Sequence, residues 1–123
     1  MHDSLSMQEK LRIVQELVPG KQITLAHIIA NPDEILYKKL GLDPAIEYSK
    51  TAIGIVTMSP AETAIIAGDI ALKSSGAELG FVDRFSGTLI VTGSISDVQA
   101  SLSALVEYCR ETLGFTVCPI TKT

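Results

Sequence analysis

The chain has 123 residues, 46% of them hydrophobic, and a formal net charge of −4. That length suits one domain, burying roughly two-thirds of the surface its unfolded form would expose, so neither a metal nor a disulfide is needed to hold it together. The acidic balance, the lack of a basic run and an aromatic content of 5% exclude a nucleic-acid partner, and no apolar stretch reaches the roughly 18 residues of a membrane span.

The polar N-terminus has no signal-peptide core, so a cytosolic location is expected. Cys109 and Cys118 form no CxxC pair, which argues against a zinc or iron–sulfur site and leaves two reduced, small apolar residues. The apolar mass is Ile, Leu, Val and Ala with no Trp. More of it is present than one small core can use, which suggests burial between subunits.

In chain order, residues 1–18 carry two periods at once. Met7, Leu11, Val14 and Val18 repeat at helical spacing, while Leu11, Ile13, Gln15 and Leu17 alternate as in a strand. Periodicity alone slightly favours the helix. Pro19-Gly20 closes the stretch with a turn. Residues 21–29 predict a largely buried strand, with Ile23, Leu25, His27 and Ile29 on one face and Thr24, Ala26 and Ile28 on the other. Asn31-Pro32-Asp33-Glu34 predicts a short helix capped by Asn31, with Pro32 at its first position and Gly41 ending it after about nine residues. Residues 42–51, without a period, read as an exposed linker.

The run 52–58, Ala-Ile-Gly-Ile-Val-Thr-Met, predicts a central strand. Ser59-Pro60-Ala61-Glu62 has the form of a capping box and predicts a helix to about Ser75. Small residues Ala61, Ala64, Ala67, Gly68 and Ala71 would let another backbone approach it, and Glu62, Asp69 and Lys73 form a polar stripe. Gly80 to Gly93 predicts two strands joined by a turn at Asp83, Ser86 and Gly87. Ser96-Asp97-Val98-Gln99 predicts a second capped helix, buried through Val98, Leu102, Leu105, Val106, Cys109 and Leu113 and ended at Gly114. Residues 115–118 predict a short strand. The order of elements gives an α+β fold with helices on one face of a mainly antiparallel sheet.

Chemistry is sparse. His27 has no second ligand at metal spacing and reads as a satisfied core histidine. There is no G-x-S-x-G, no phosphate-binding glycine loop and no metal-ligand pair on one helix face, so no catalytic residue, metal or cofactor is expected. Ser75-Gly76 and Ser86-Gly87 are turn chemistry. Asp83 and Arg84 are the opposite charges in the central turn. If several copies of that turn met on a symmetry axis, these two would line an opening and Phe85 would narrow it.

From Ala52 to Gly93 the runs Ala-Ile-Gly-Ile, Ser-Pro-Ala-Glu-Thr-Ala, Gly-Asp-Ile-Ala-Leu-Lys, Gly-Phe-Val-Asp-Arg-Phe-Ser-Gly and Val-Thr-Gly together resemble the shell domain of bacterial microcompartments, the BMC domain. The stretch Val18 to Pro32 stands at the N-terminus, whereas the matching strand of the ordinary family stands at the C-terminus. The chain is therefore similar to the circularly permuted branch, the propanediol- and ethanolamine-utilisation shell proteins, over about residues 12–123.

That resemblance implies a ferredoxin-like, circularly permuted BMC domain at 19–123 behind an N-terminal tail at 1–18. It implies a homohexameric structural tile, without catalysis, packing with other shell proteins and contacting cargo or accessory proteins in a microcompartment shell within the cytoplasm. Asp83, Arg84, Phe85, Ser86 and Gly87 match the pore loop, and Lys73 the tile-edge lysine. Asn31 stands where the family's edge arginine usually precedes proline. The tail would be a strand, with Leu11, Ile13, Gln15 and Leu17 in a six-stranded parallel barrel over the pore, and the alternation allows it. A ferredoxin-like regulatory domain holding a small ligand between subunits has the same element order and stands as the alternative.

Overall fold

The apolar run after Thr51 becomes β2 (Ala52–Ser59), the middle strand of a five-stranded sheet. The computed structural model describes residues 20–46 and 51–123. Within them lie β1 (Gln22–Ile29), α1 (Glu34–Lys39), β2, α2 (Thr63–Ser74), β3 (Glu78–Asp83), β4 (Thr88–Gly93), α3 (Ile95–Glu111) and β5 (Thr121–Lys122). The strand order is β3-β4-β2-β1-β5, antiparallel throughout except for the parallel pairing of β5 with β1.

Strand alternation sorts the sheet into two faces. On one, Ala52, Val56, Leu89 and Val91 are buried under the small residues of α2 (Ala64, Ala67, Ala71) and the apolar stripe of α3 (Val98, Leu102, Leu105, Cys109). This is the main core. The other face carries a smaller cluster of Tyr37, Leu42, Ile53 and Ile90 beneath α1. Helices therefore occupy both faces, not one as the element order suggested, because α1 has a buried tyrosine to cover. Its hydroxyl donates to the Thr51 carbonyl at 2.8 Å, which ties the helix to the start of β2.

Local signals set the elements, but tertiary pairing moves their ends. Asp33, not Asn31, caps α1, its carboxylate accepting from the Ile35 N–H at 3.1 Å. The helix spans 6 residues and closes on Gly41 and Leu42, whose N–H groups bond to Lys38 and Tyr37 carbonyls in the manner of a Schellman motif. Leu42 is thereby buried, so the stretch after α1 begins as an anchored segment and not as an exposed linker.

Ser59 does not cap α2 either. It is the last residue of β2, paired with Gln22, and the helix starts at Thr63 with no side-chain cap, its first turn held by bonds to the carbonyls of Pro60, Ala61 and Glu62. For α3 the cap is Ser94, two positions before the expected serine, accepting from the Asp97 N–H at 3.1 Å. A bulge between Ile23 and Leu25 shifts the phase of β1, so that Ile23 is buried on the same face as Ala26 and Ile28 while Leu25 is exposed. The chain end differs as well. Residues 115–118 contribute one bridge, Thr116 to Gln22, and the strand lies further on at β5.

Candidate functional site

The hairpin β3–β4 ends in the turn Asp83–Gly87, and that turn is built from its own side chains. The Asp83 carboxylate accepts from the Phe85 N–H at 2.9 Å and from the Ser86 hydroxyl at 2.8 Å, and the Gly87 N–H donates to the Asp83 carbonyl at 2.9 Å. The bond from the Phe85 backbone, then that from Ser86, holds the Asp83 carboxyl below the usual carboxylate range. A depressed acid favours the folded turn above its ordinary pKa, and that preference is lost as pH falls through the lowered value.

Gly87 has φ +76°, the left-handed region, and its carbonyl accepts from the Met58 N–H at 2.9 Å. A Cβ there would collide with the Met58 carbonyl oxygen and come within 3.0 Å of the Ala61 Cα. Glycine is required on both counts.

With Asp83 turned inward, Arg84 presents the charge of the tip. Among the described residues no ion pair joins Arg84 to Asp83, and the guanidinium lies over the Phe85 ring at 4.9 Å from its centroid. Phe85 is 80% exposed, the most open large apolar side chain described. The two opposite charges of the turn thus have separate places, Asp83 as a turn-former and Arg84 as an outward-facing cation.

Lys73 and Asn31 lie at the opposite end of the sheet. Ile29, Ile53, Thr92 and Glu78 form one row across it, Asn31 follows β1 there, and Lys73 stands in the last turn of α2, just before β3 begins. The length of β4 separates this row from the turn by about 17 Å at a rise of about 3.4 Å per residue. The Lys73 ammonium lies 2.7 Å from the Asp69 carboxylate, and the hydrogen bond and then the charge of Asp69 raise its pKa above the ordinary lysine value. Both side chains are more than half exposed, so the pair is solvated and adds little to the fold.

His27 is not a core histidine. It is half-buried on β1 beside β5, with Nδ1 2.6 Å from Thr121 Oγ1 and Nε2 2.9 Å from Thr123 Oγ1, so both ring nitrogens are satisfied by hydroxyls. Sequence reading found the histidine but not these partners, because both threonines are more than 90 residues away. Burial pushes the Cys109 thiol up, which keeps it protonated and inert. Ser75 Oγ sits 2.7 Å from Ser101 Oγ and 3.0 Å from the Asp97 carbonyl, a tie between α2 and α3. Among the described residues no cluster of His, Cys, Asp and Glu could hold a metal, and no helix is long and apolar enough to cross a membrane. The expected barrel residues Leu11, Ile13, Gln15 and Leu17, with the whole of 1–18, lie outside the described residues.

An α+β sheet that holds a cationic loop at one end and a charged rim at the other defines a module with surfaces to present. The chain belongs to the BMC domain family, whose pattern matches residues 52–121. It is similar to the bacterial microcompartment shell protein PduU of Salmonella typhimurium, 51% identical over 112 residues that cover 91% of this chain and 93% of PduU. EutS of Escherichia coli is 51% identical over 114 residues, covering 93% of this chain and 98% of EutS, and CutR of Streptococcus intermedius is 50% identical over 111 residues, covering 90% and 91%. Among solved structures, a CutR flat hexamer superposes with a TM-score of 0.78 at 48% identity, covering 86% of this chain and 94% of that one. A CutR screw form with a 41.9 Å pitch superposes at 0.77 and 48% identity, covering 85% of this chain and all of the other.

Proposed function

We propose that this protein is a structural shell component of a bacterial microcompartment, one subunit of a hexameric tile that packs with other shell proteins around metabolic enzymes in the bacterial cytoplasm. The observation that carries the reading is the likeness to the CutR flat hexamer over 86% of the chain at 48% identity. In this reading the Asp83–Gly87 turns surround the six-fold axis and the far ends of the sheet, with Lys73 and Asn31, meet neighbouring tiles. The protein is a building element and not an enzyme.

The domain is circularly permuted in this account. Support comes from β1, which lies ahead of the family match at 52–121 yet pairs along its length with β2 inside the sheet. The barrel cap has support of the same kind. Gly20 stands next to the Gln22–Ser59 pair, and Met58 of the same strand end bonds to Gly87. β1 therefore begins at the end of the sheet where the turn lies, and in the sequence ahead of it Leu11, Ile13, Gln15 and Leu17 alternate as a barrel strand over the pore would. A small-ligand regulatory domain of ferredoxin-like type has no comparable observation in its favour.

Two expected results follow at the opposite ends of the tile. Lys73→Ala removes an exposed charge that the fold does not need, so soluble hexamers should form with unchanged thermal stability while extended sheets, followed by electron microscopy, are lost; normal sheets would refute the edge role. Arg84→Ala leaves the turn intact, because Asp83, Ser86 and Gly87 hold it. The hexamer should persist and its binding of a polyvalent anion such as sulfate, read by calorimetry, should fall by about tenfold or more. Equal anion binding by the two proteins would remove Arg84 from the pore.

A further inference from the structure

With the turn on the axis, the strands run radially and the two sheet edges become the flanks of a wedge. One flank is β3 and the other is β5, since these are the outer strands in the order β3-β4-β2-β1-β5. Each leaves a row of unpaired backbone groups, which a free protein must cover or blunt. Each flank is also apolar. Leu79 (39% exposed) and Val82 (38%) on β3 face the helix side, in register with the buried Val91 and Leu89, and Ile65 (54%) and Leu72 (44%) extend that surface along α2. The other flank has Val117 and Ile120, only partly buried against the core, in the segment leading to β5.

The two flanks carry opposite charges at the same radius. Glu78 opens β3 opposite Thr92, in the row that also holds Ile53 and Ile29. Lys122 pairs with Ile28, one residue from that row on the far edge. Both are exposed, and among the described residues neither has an ion-pair partner.

We infer that the ring closes by packing the β3 flank of one subunit (Leu79, Val82, Ile65) against the β5 flank of the next (Val117, Ile120), with Glu78 opposite the neighbour's Lys122. The occupant of each flank is a second copy of this chain, in a heterologous contact repeated around the axis. This deepens the tile reading and rests on its placement of the Asp83–Gly87 turn. The apolar strip supplies the buried area, and the charge pair fixes which edge meets which and at what height.

The test is a charge reversal with rescue by mixing. Glu78→Lys alone brings two cations face to face at every contact of the ring, and Lys122→Glu alone brings two carboxylates together. By native mass spectrometry each variant alone should need about tenfold or more protein to populate the six-membered ring. In a one-to-one mixture the variants can alternate, so that one contact joins unaltered Glu78 to unaltered Lys122 and the next joins the two reversed residues. Each contact in the alternating ring therefore again joins opposite charges, and the ring should return with three copies of each variant. Rings as stable as the parent's in either variant alone, or folded variants that do not rescue each other, would overturn the contact. So would loss of fold in a single variant, because both positions are exposed. A parent chain that forms no ring would instead sink the tile reading itself.

Discussion

Replacing Gly87 with alanine should lower the stability of the chain by about 2–5 kcal/mol and disturb the turn that Arg84 and Phe85 ride on. Forcing an L side chain into the left-handed region costs about 1–2 kcal/mol. The new Cβ also meets the Met58 carbonyl and the Ala61 Cα, which are backbone atoms and cannot swing aside, so a further cost of about 1–3 kcal/mol for displaced packing is expected. Gly41 separates the two contributions. It has φ +71° but no atom within 4 Å of the position a Cβ would take, so Gly41→Ala should show the conformational cost alone. Urea unfolding at one fixed protein concentration measures both, since assembly shifts apparent stability. A Gly87→Ala variant no less stable than Gly41→Ala would contradict the close approach of the turn to β2 and to the segment that leads into α2.

Truncating Leu105 to alanine should cost about 2–5 kcal/mol. Leu105 has no exposed surface and sits in the main core with Leu102, Val98 and Cys109 beside the Val56–Leu89 layer of the sheet. The small residues of α2 leave little slack to refill the space. Ile65→Ala, on the open face of α2, should cost the isolated subunit far less, and its effect should grow where rings form. A loss below about 1 kcal/mol at Leu105 would mean that the α3 stripe does not hold the core together.

The elements that read correctly from sequence are those whose signal is periodic and long. The apolar run of β2, the hairpin around Asp83–Gly87 and the Val98 to Cys109 stripe of α3 all appear where their patterns put them. Cap positions did not. Ser59-x-x-Glu62 is a sound local box, but Ser59 is taken by the β1 ladder through Gln22, and a long-range pair outweighed the short-range one. At α3 the expected cap was Ser96, and Ser94 took its place. The Asp97 carboxylate and carbonyl there also receive bonds from Gly76 and Ser75, which no local rule includes.

The candidate site divides in the same way. Turn chemistry identified Asp83, Ser86 and Gly87 as a unit, and their bonds bear out that unit. The direction of the Asp83 carboxylate was not legible, because an aspartate beside an arginine suggests an ion pair as readily as a turn that closes on its own N–H groups. The bulge at Thr24 was hidden for a further reason. It depends on how β1 meets β2, where Thr24 Oγ1 lies 2.7 Å from Thr57 Oγ1, and one-residue phase shifts leave no mark on composition.

The central claim is a ring of six, and its most direct test is the solution mass by light scattering at two protein concentrations, with the full chain and with residues 1–17 removed. For the full chain the account predicts six times the 13.1 kDa of one subunit, and a ring of six again after truncation, the tail being an addition to the ring and not its glue. A monomer or dimer under all conditions would contradict it.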